Sequence, residues 1–244
     1  MKNNWFNETN TQPLIVAHRG ASGYEPENTL AAVHLAADQQ ADGIEFDVQL
    51  TADGVPVLFH DFTVDRMTDG SGLITSKTLA ELKELQVGGT EKIATLDELF
   101  AMFGDHFLYN LELKIMGWWH NATLESAVVD IIAKHNIAQN VLISSFSAIA
   151  LHRTQRVLKE PIPLAMIRSP GIQSWSYHIF SGQADHPDRV MVDANYMAWA
   201  KQRGYRVHVW TVDDPAEGQK LAKLGVHGLV TNKPDVIHEA IQNL

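Results

Sequence analysis

Residues 14–30 read LIVAHRGASGYEPENTL. The apolar run LIVAH ends in a charged, glycine-bearing turn. A helical pattern follows, with Leu30, Val33 and Ala37 on one face at i, i+3 and i+7. Strand, loop and helix in that order are the first half of a βαβ unit. The alternation continues to the C-terminus. Further strand-like runs are GIEFDVQL, FLYNLELK, NVLISSF, IPLAMI, RVMVDA, RVHVWTV and HGLVTN. Helical runs such as NATLESAVVDIIAKHN, SAIALHRTQRVL, YMAWAKQRG and PAEGQKLAKLG fall between most of them. The total is about eight units, the count of an α/β fold of the TIM type, a (β/α)8 barrel.

One segment interrupts the alternation. EFDVQL is followed by TADG and then VPVLFH. Asp-Gly between two apolar runs signals a hairpin, so strand 2 is expected to carry a β-hairpin extension. With the turn centred on Asp53 and Gly54, Leu50 faces Val57 and Asp47 faces His60. Residues from about 61 to 105 then form a small insertion before barrel strand 3, helical around SKTLAELKEL and TLDELFAMF. No internal repeat, low-complexity tract or linker divides the chain, so one barrel domain over residues 1–244 is expected.

Composition narrows the partners. The 244 residues are 45% hydrophobic and 20% charged, enough to bury a large core without covalent staples. There is no cysteine, which excludes disulfides and thiolate metal sites. The net charge of −10 argues against nucleic acid as a partner and against an anionic membrane surface. An anionic substrate would need positive charge placed locally, by a metal or by a few Lys and Arg. No apolar run approaches a membrane span, and MKNNWFNETNTQPL lacks the apolar core of a secretory signal. The expectation is a cytoplasmic protein with no stable membrane anchor. Barrels of this kind often pair as homodimers, and no stripe in the sequence marks an interface.

The chemistry-bearing residues cluster by strand periodicity. In GIEFDV, Glu45 and Asp47 share one face while Ile44, Phe46 and Val48 share the other. In YNLELK, Asn110, Glu112 and Lys114 alternate with Leu111 and Leu113. Barrel sites lie at the C-terminal ends of the strands. His18 and Arg19 end strand 1, and the hairpin returns His60 toward the same mouth. Three carboxylates with an oxygen donor such as Asn110 suit one hard divalent cation, Mg²⁺ or Ca²⁺. Such a cation with Arg19 and Lys114 can bind a phosphate, and two histidines can serve as general acid and base.

AHRGASGYEPENTL, DGIEFDVQLTADGVPVLFHD, RMTDGSG, LELK, SSF and VHVWTV together resemble the glycerophosphodiester phosphodiesterases, of the bacterial cytosolic type. The resemblance covers nearly the whole chain and is densest from Ile15 to Gly72. It implies a metal-dependent hydrolase of lipid and glycerol metabolism. Such an enzyme cleaves small-molecule glycerophosphodiesters to sn-glycerol 3-phosphate and an alcohol. On this resemblance His18 and His60 match the acid–base pair, and Glu45, Asp47 and Glu112 match the metal ligands. Arg19 and Lys114 match phosphate-binding positions, and Phe146 and Trp210 match apolar residues near the glycerol. Glu27 and Asn28 match a turn that braces the site. Met67, Asn232 and the Tyr24–Glu25 pair depart from the family pattern, outside the expected catalytic set.

The sequence leaves open whether water or the glycerol 2-hydroxyl attacks first. It also leaves open which histidine is acid and which base, with His18 as acid the first assignment. Trp118 and Trp119 read equally as an alcohol-side pocket or as a cap on their own loop. Arg168, Trp175 and Tyr177 read as part of a packed surface loop. The rival reading is a barrel that binds a phosphorylated metabolite without turning it over. A missing histidine or acid would favour it, and none is missing.

Overall fold

Nine strands of the described chain form one sheet. They are β1 (Leu14–His18), β2 (Gly43–Leu50), β3 (Pro56–Leu58), β4 (Leu108–Leu113), β5 (Val141–Ser145), β6 (Leu164–Arg168), β7 (Ala184–Pro187), β8 (Arg206–Val209) and β9 (Gly228–Thr231). Their order is β1-β9-β8-β7-β6-β5-β4-β2-β3, and β1 also pairs with β2, which closes the ring. Only β3 is antiparallel, as a hairpin on β2, which leaves eight parallel barrel strands. The expected (β/α)8 barrel with its hairpin extension is therefore present. The computed structural model describes residues 4–6, 12–116, 123–171, 180–242 and 244. Trp118, Trp119, Trp175 and Tyr177 lie outside these residues.

The helices are α1 (Leu30–Asp38), α2 (Leu79–Glu84), α3 (Leu96–Phe103), α4 (Leu124–His135), α5 (Ala148–Val157), α6 (Ala194–Gln202), α7 (Pro215–Lys223) and α8 (Pro234–Ile241). Side-chain caps start most of them. Thr29 accepts from the Ala32 amide, and Thr78 and Thr95 form capping boxes with Glu81 and Glu98. α2 and α3 fall between β3 and β4, where the insertion was expected. Val57, Phe59, Val64, Ile74, Leu82, Val87 and Ile93 give that region a small core of its own. Among the described residues no helix is long and apolar enough to cross a membrane.

Alternation along each strand separates two cores. Ile44, Phe46 and Val48 face outward and pack with Val33 and Ala36 of α1 and Leu96, Leu99 and Phe100 of α3. Tyr109 meets Phe46 and Phe100 edge-on, with ring centroids 6.2 and 5.0 Å apart. The inward residues change character with depth. Leu14, Val16, Leu108, Leu142, Ala165, Ala184 and Val230 make an apolar layer with Trp5. Asn110, Ser144, His186 and His208 follow as a neutral polar layer, and the carboxylates and cations stand above them.

Three expectations are corrected. The hairpin register is one residue shorter, with Leu50 opposite Pro56, Gln49 opposite Val57 and Val48 opposite Leu58. Its turn is closed by the Thr51 and Gly54 amides and uses a positive φ of 80° at Gly54. RVMVDA is not a strand. Arg189–Met191 is a single 3₁₀ turn whose Val190 amide is capped by Asp188, and the barrel strand is the preceding ADHP. Arg168 is not a surface-loop residue: it ends β6, is 2% exposed, and pairs with Asp185 at 2.5 Å.

Phe100 is 1% exposed and bridges α3 to the β2–β4 wall. Phe100→Ala should lower unfolding stability by about 3–5 kcal/mol. A denaturant titration reads this as a lower midpoint at unchanged slope.

Candidate active site

Strand register assembles the acids. His18 is opposite Glu45 across β1 and β2, Glu45 is opposite Asn110, and Asp47 is opposite Glu112 across β2 and β4. In-register residues on neighbouring strands sit about 4.8 Å apart. Carboxylate oxygens of Glu45, Asp47 and Glu112 accordingly lie within 4.8 Å of one another, and all three residues are buried.

Two cations share this space. Arg19 Nε is 3.0 Å from Asp47 Oδ2, and Lys114 Nζ is 3.0 Å from Glu112 Oε1 and 3.4 Å from Asp47 Oδ1. The turn after β1 braces them. Arg19 and Asn28 both adopt positive φ, 57° and 59°, which folds the turn back over the strand ends. Asn28 Nδ2 donates to Asp47 Oδ2 at 3.0 Å, and the Asp47 amide donates to Asn28 Oδ1 at 3.2 Å. Glu27 Oε1 accepts from Arg19 Nη1 at 3.1 Å.

Two cations do not neutralise three acids. Burial, then repulsion from Asp47 and Glu112, pushes the Glu45 carboxyl well above its usual range. Burial and Asp47 push Glu112 up to about 7. Burial opposes ionisation of Asp47 too, yet Arg19 and Lys114 together hold it below its usual value. One negative charge too many, presented by clustered oxygens, is the donor set of a hard divalent cation. The residues present fit such an ion.

The two histidines are wired differently. His18 Nδ1 is 2.7 Å from Asn232 Oδ1. Asn232 is fixed at its other end, with Nδ2 donating to Asp213 Oδ2 at 2.6 Å. The amide oxygen must therefore accept, so His18 carries its proton on Nδ1. Its Nε2 is 3.8 Å from Glu45 Oε2. Burial, reinforced by Arg19, lowers the His18 pKa to about 4. His60 Nδ1 instead meets a carboxylate, Asp61 Oδ1, at 2.7 Å. Arg66 Nε donates to Asp61 Oδ2 at 2.6 Å and Arg66 Nη2 donates to Glu27 Oε1 at 2.6 Å. Arg66 is also the leading cause that brings Asp61 down to about 2.

His60 still reaches the mouth despite the shifted register. The Phe59 amide donates to the Asp47 carbonyl at 3.0 Å, and Gln49 Nε2 donates to the Phe59 and Asp61 carbonyls at 2.8 and 2.7 Å. These bonds carry the chain past the end of β3 and turn His60 inward. A cavity of about 220 Å³ is lined by His18, Arg19, Glu45, His60, Asn110, Glu112 and Lys114, with Phe146, Ile167, His186, Trp210 and Val230. Phe146 and Trp210 meet edge-on at 5.7 Å. Every site residue expected from the sequence is in this cavity or, for Asp47, Glu27 and Asn28, bonded to Arg19, which is.

Sequence reading missed Asp61, Arg66, Asp213 and His186 and met Asn232 only as a departure. HDFTVDR held a signal, since its acid and its arginine lie five residues apart in one turn. Nothing in the sequence marks a contact between residues 18 and 232.

The chain matches the sequence profile of the glycerophosphoryl diester phosphodiesterase family over residues 18–236. It is 34% identical over 234 residues to a glycerophosphodiester phosphodiesterase of Caldanaerobacter subterraneus, covering 92% of this chain and 96% of that protein. A glycerophosphodiester phosphodiesterase of Bacillus subtilis is 30% identical over 256 residues, 93% of this chain and 85% of that one. Among solved structures, an Oleispira antarctica phosphodiesterase in complex with the product sn-glycerol-3-phosphate superposes with a TM-score of 0.83. It is 33% identical, with 94% of this chain and 97% of that chain covered.

The acid cluster has a pH signature. Glu112 holds its proton more tightly when folded, about 7 against 4.5, so its stability contribution is full below pH 4.5 and is lost as pH rises through about 7. Chelator-treated protein should therefore lose Tm between these limits, and Glu112→Gln should lose less. Equal slopes for the two proteins would contradict the charge excess.

Proposed function

The chain belongs to the glycerophosphoryl diester phosphodiesterase family, and from that premise we propose that it hydrolyses glycerophosphodiesters to sn-glycerol 3-phosphate and an alcohol. The observation that carries this reading is the meeting of two histidines, two carboxylates and two cations in one cavity, with a third carboxylate, Asp47, paired to both cations. We take the catalytic unit to be a single barrel domain over residues 1–244, with about 61–105 as an insertion that supplies Asp61 and Arg66. A cytoplasmic setting suits the soluble diester.

Glu45, Asp47 and Glu112 would hold one divalent cation, Mg²⁺ or Ca²⁺. When bound, that cation supplies positive charge against the phosphoryl oxygens. Arg19 and Lys114 add donors to the same anion from opposite sides of Asp47. Both guanidinium and ammonium are already oriented by carboxylates, so little reorganisation is needed when the phosphate arrives. Phe146 and Trp210 form the apolar wall against which the glycerol carbons rest.

Hydrogen-bond wiring favours the reverse of the assignment drawn first. His18, tied to an amide oxygen, presents a bare Nε2 lone pair and takes the proton of the nucleophile, whether water or the glycerol 2-hydroxyl. His60, whose Nδ1 is tied to the Asp61 carboxylate, donates from Nε2 to the departing alkoxide. Arg66 is a positioning residue that holds Asp61 against His60. All the expected groups are in place, which weighs against a barrel that only binds its ligand.

Release of glycerol 3-phosphate from glycerophosphocholine and glycerophosphoethanolamine tests the reading. EDTA should abolish it, and Mg²⁺ or Ca²⁺ should restore it. His18→Ala and His60→Ala should each lower kcat by about 10²–10⁴-fold. Cleavage that survives EDTA and both substitutions would refute the scheme.

A further inference from the structure

His18 is wired to residues that arrive almost at the end of the chain. β8, β9 and β1 are neighbours in the ring. Asp213 follows β8, Asn232 follows β9 and His18 ends β1, and the three form one line of hydrogen bonds. Asp213 Oδ1 accepts from Thr231 Oγ1 at 3.0 Å and from the backbone N–H of Asn232 at 2.8 Å. Asp213 Oδ2 accepts from Asn232 Nδ2 at 2.6 Å. Asn232 Oδ1 faces His18 Nδ1 at 2.7 Å and Ser22 Oγ at 2.8 Å.

The backbone fixes the spacing of this line. Gly23 donates its N–H to the Asn232 carbonyl at 2.8 Å, and a Cβ on Gly23 would come 2.8 Å from that same oxygen. Glycine therefore lets the turn after β1 lie directly on residue 232. The Val212 N–H donates to the Val230 carbonyl at 2.9 Å and holds the Asp213 loop beside β9.

A side-chain amide has the same outline whichever end carries the oxygen. What Asn232 shows to His18 is decided at its other end. A carboxylate only accepts, so Asp213 takes the NH₂ group and turns the amide oxygen toward His18. That oxygen takes the proton of Nδ1 and leaves a lone pair on Nε2. Closing the barrel does not require this. Thr231 and the backbone N–H of Asn232 already tie Asp213 to β9 through Oδ1, and the bond at Oδ2 serves to orient the amide.

We propose that Asp213 is a positioning residue that acts through Asn232 to set which nitrogen of His18 carries the proton. The tautomer follows from the hydrogen-bond line alone. Its use, proton abstraction at Nε2, rests on the phosphodiesterase reading. Asp213→Asn is the isosteric reversal. Thr231 and the backbone N–H still need an acceptor, so the oxygen of the new amide stays with them and its NH₂ faces Asn232. The Asn232 amide must then turn over, present NH₂ to His18 and move the histidine proton to Nε2. Ser22 Oγ can accept from the turned amide while it donates to the His18 carbonyl, 2.7 Å away. Combining Asp213→Asn with Asn232→Asp puts an acceptor back opposite Nδ1.

NMR that correlates histidine ring nitrogens with carbon-bound ring protons reads the tautomer in saturating Mg²⁺ or Ca²⁺. His18 is assigned by its absence in His18→Ala. The proton should sit on Nδ1 in the wild type, on Nε2 in Asp213→Asn, and on Nδ1 again in the swapped pair. With glycerophosphocholine, Asp213→Asn should lower kcat by about 10²–10⁴-fold with KM little changed. The swapped pair should regain at least about tenfold of that loss. Should Asp213→Asn not fold, Asn232→Ala should lose the Nδ1–H signature in its place. A wild-type His18 protonated on Nε2 would overturn the proposal. So would an unmoved tautomer in the variant, or an inverted one with full kcat. The expected tautomers in a wild-type protein that cleaves no glycerophosphodiester would remove the catalytic reading and leave the orienting role of Asp213 standing.

Discussion

Everything at the mouth of this barrel follows from an excess of negative charge in a buried place. Strand register forces Glu45, Asp47 and Glu112 together, and among the described residues Arg19 and Lys114 are the Lys and Arg cations that answer them. Isolated charges would not be tolerated there, since desolvation favours the neutral form of each group. Burial and mutual repulsion push the Glu45 and Glu112 carboxyls up, while Arg19 and Lys114 hold Asp47 below its usual value. A divalent cation would answer the same excess by displacing protons from the raised carboxyls. The site is thus one that a divalent cation would fit.

The barrel makes this state durable. Ile44, Phe46 and Val48 anchor the outer face of β2 in the largest core, so the acids on its inner face cannot turn outward. The turn from Arg19 to Asn28 then clamps Asp47 through both backbone and side chain. Glu27 links Arg19 to Arg66, and Arg66 links onward to Asp61 and His60. One chain of charge-assisted bonds therefore connects the end of β1 to the hairpin of β2. Depth adds a second order: apolar residues at the bottom, neutral polar groups in the middle and charges at the mouth.

Much of this was legible because strand periodicity is local. The alternation in GIEFDV and YNLELK placed the acids on one face, and Asp-Gly announced the hairpin. What failed depended on contacts that sequence separation conceals. RVMVDA has the apolar alternation of a strand, yet the barrel uses ADHP, whose Asp185 is matched by Arg168 and Tyr196 from other elements. The hairpin slipped by one residue because the turn begins its bonding at Thr51. The partner of His18 comes from residue 232, after all the other barrel strands, and no spacing rule reaches that far.

The charge excess makes a direct demand on cation binding. Titrating Mg²⁺ or Ca²⁺ into chelator-stripped protein near pH 6.5, in two buffers of different ionisation enthalpy, counts the protons displaced. The account predicts release of about one proton or more per ion bound, reduced in Glu112→Gln. Binding with no proton release, or no binding of either ion, would contradict it.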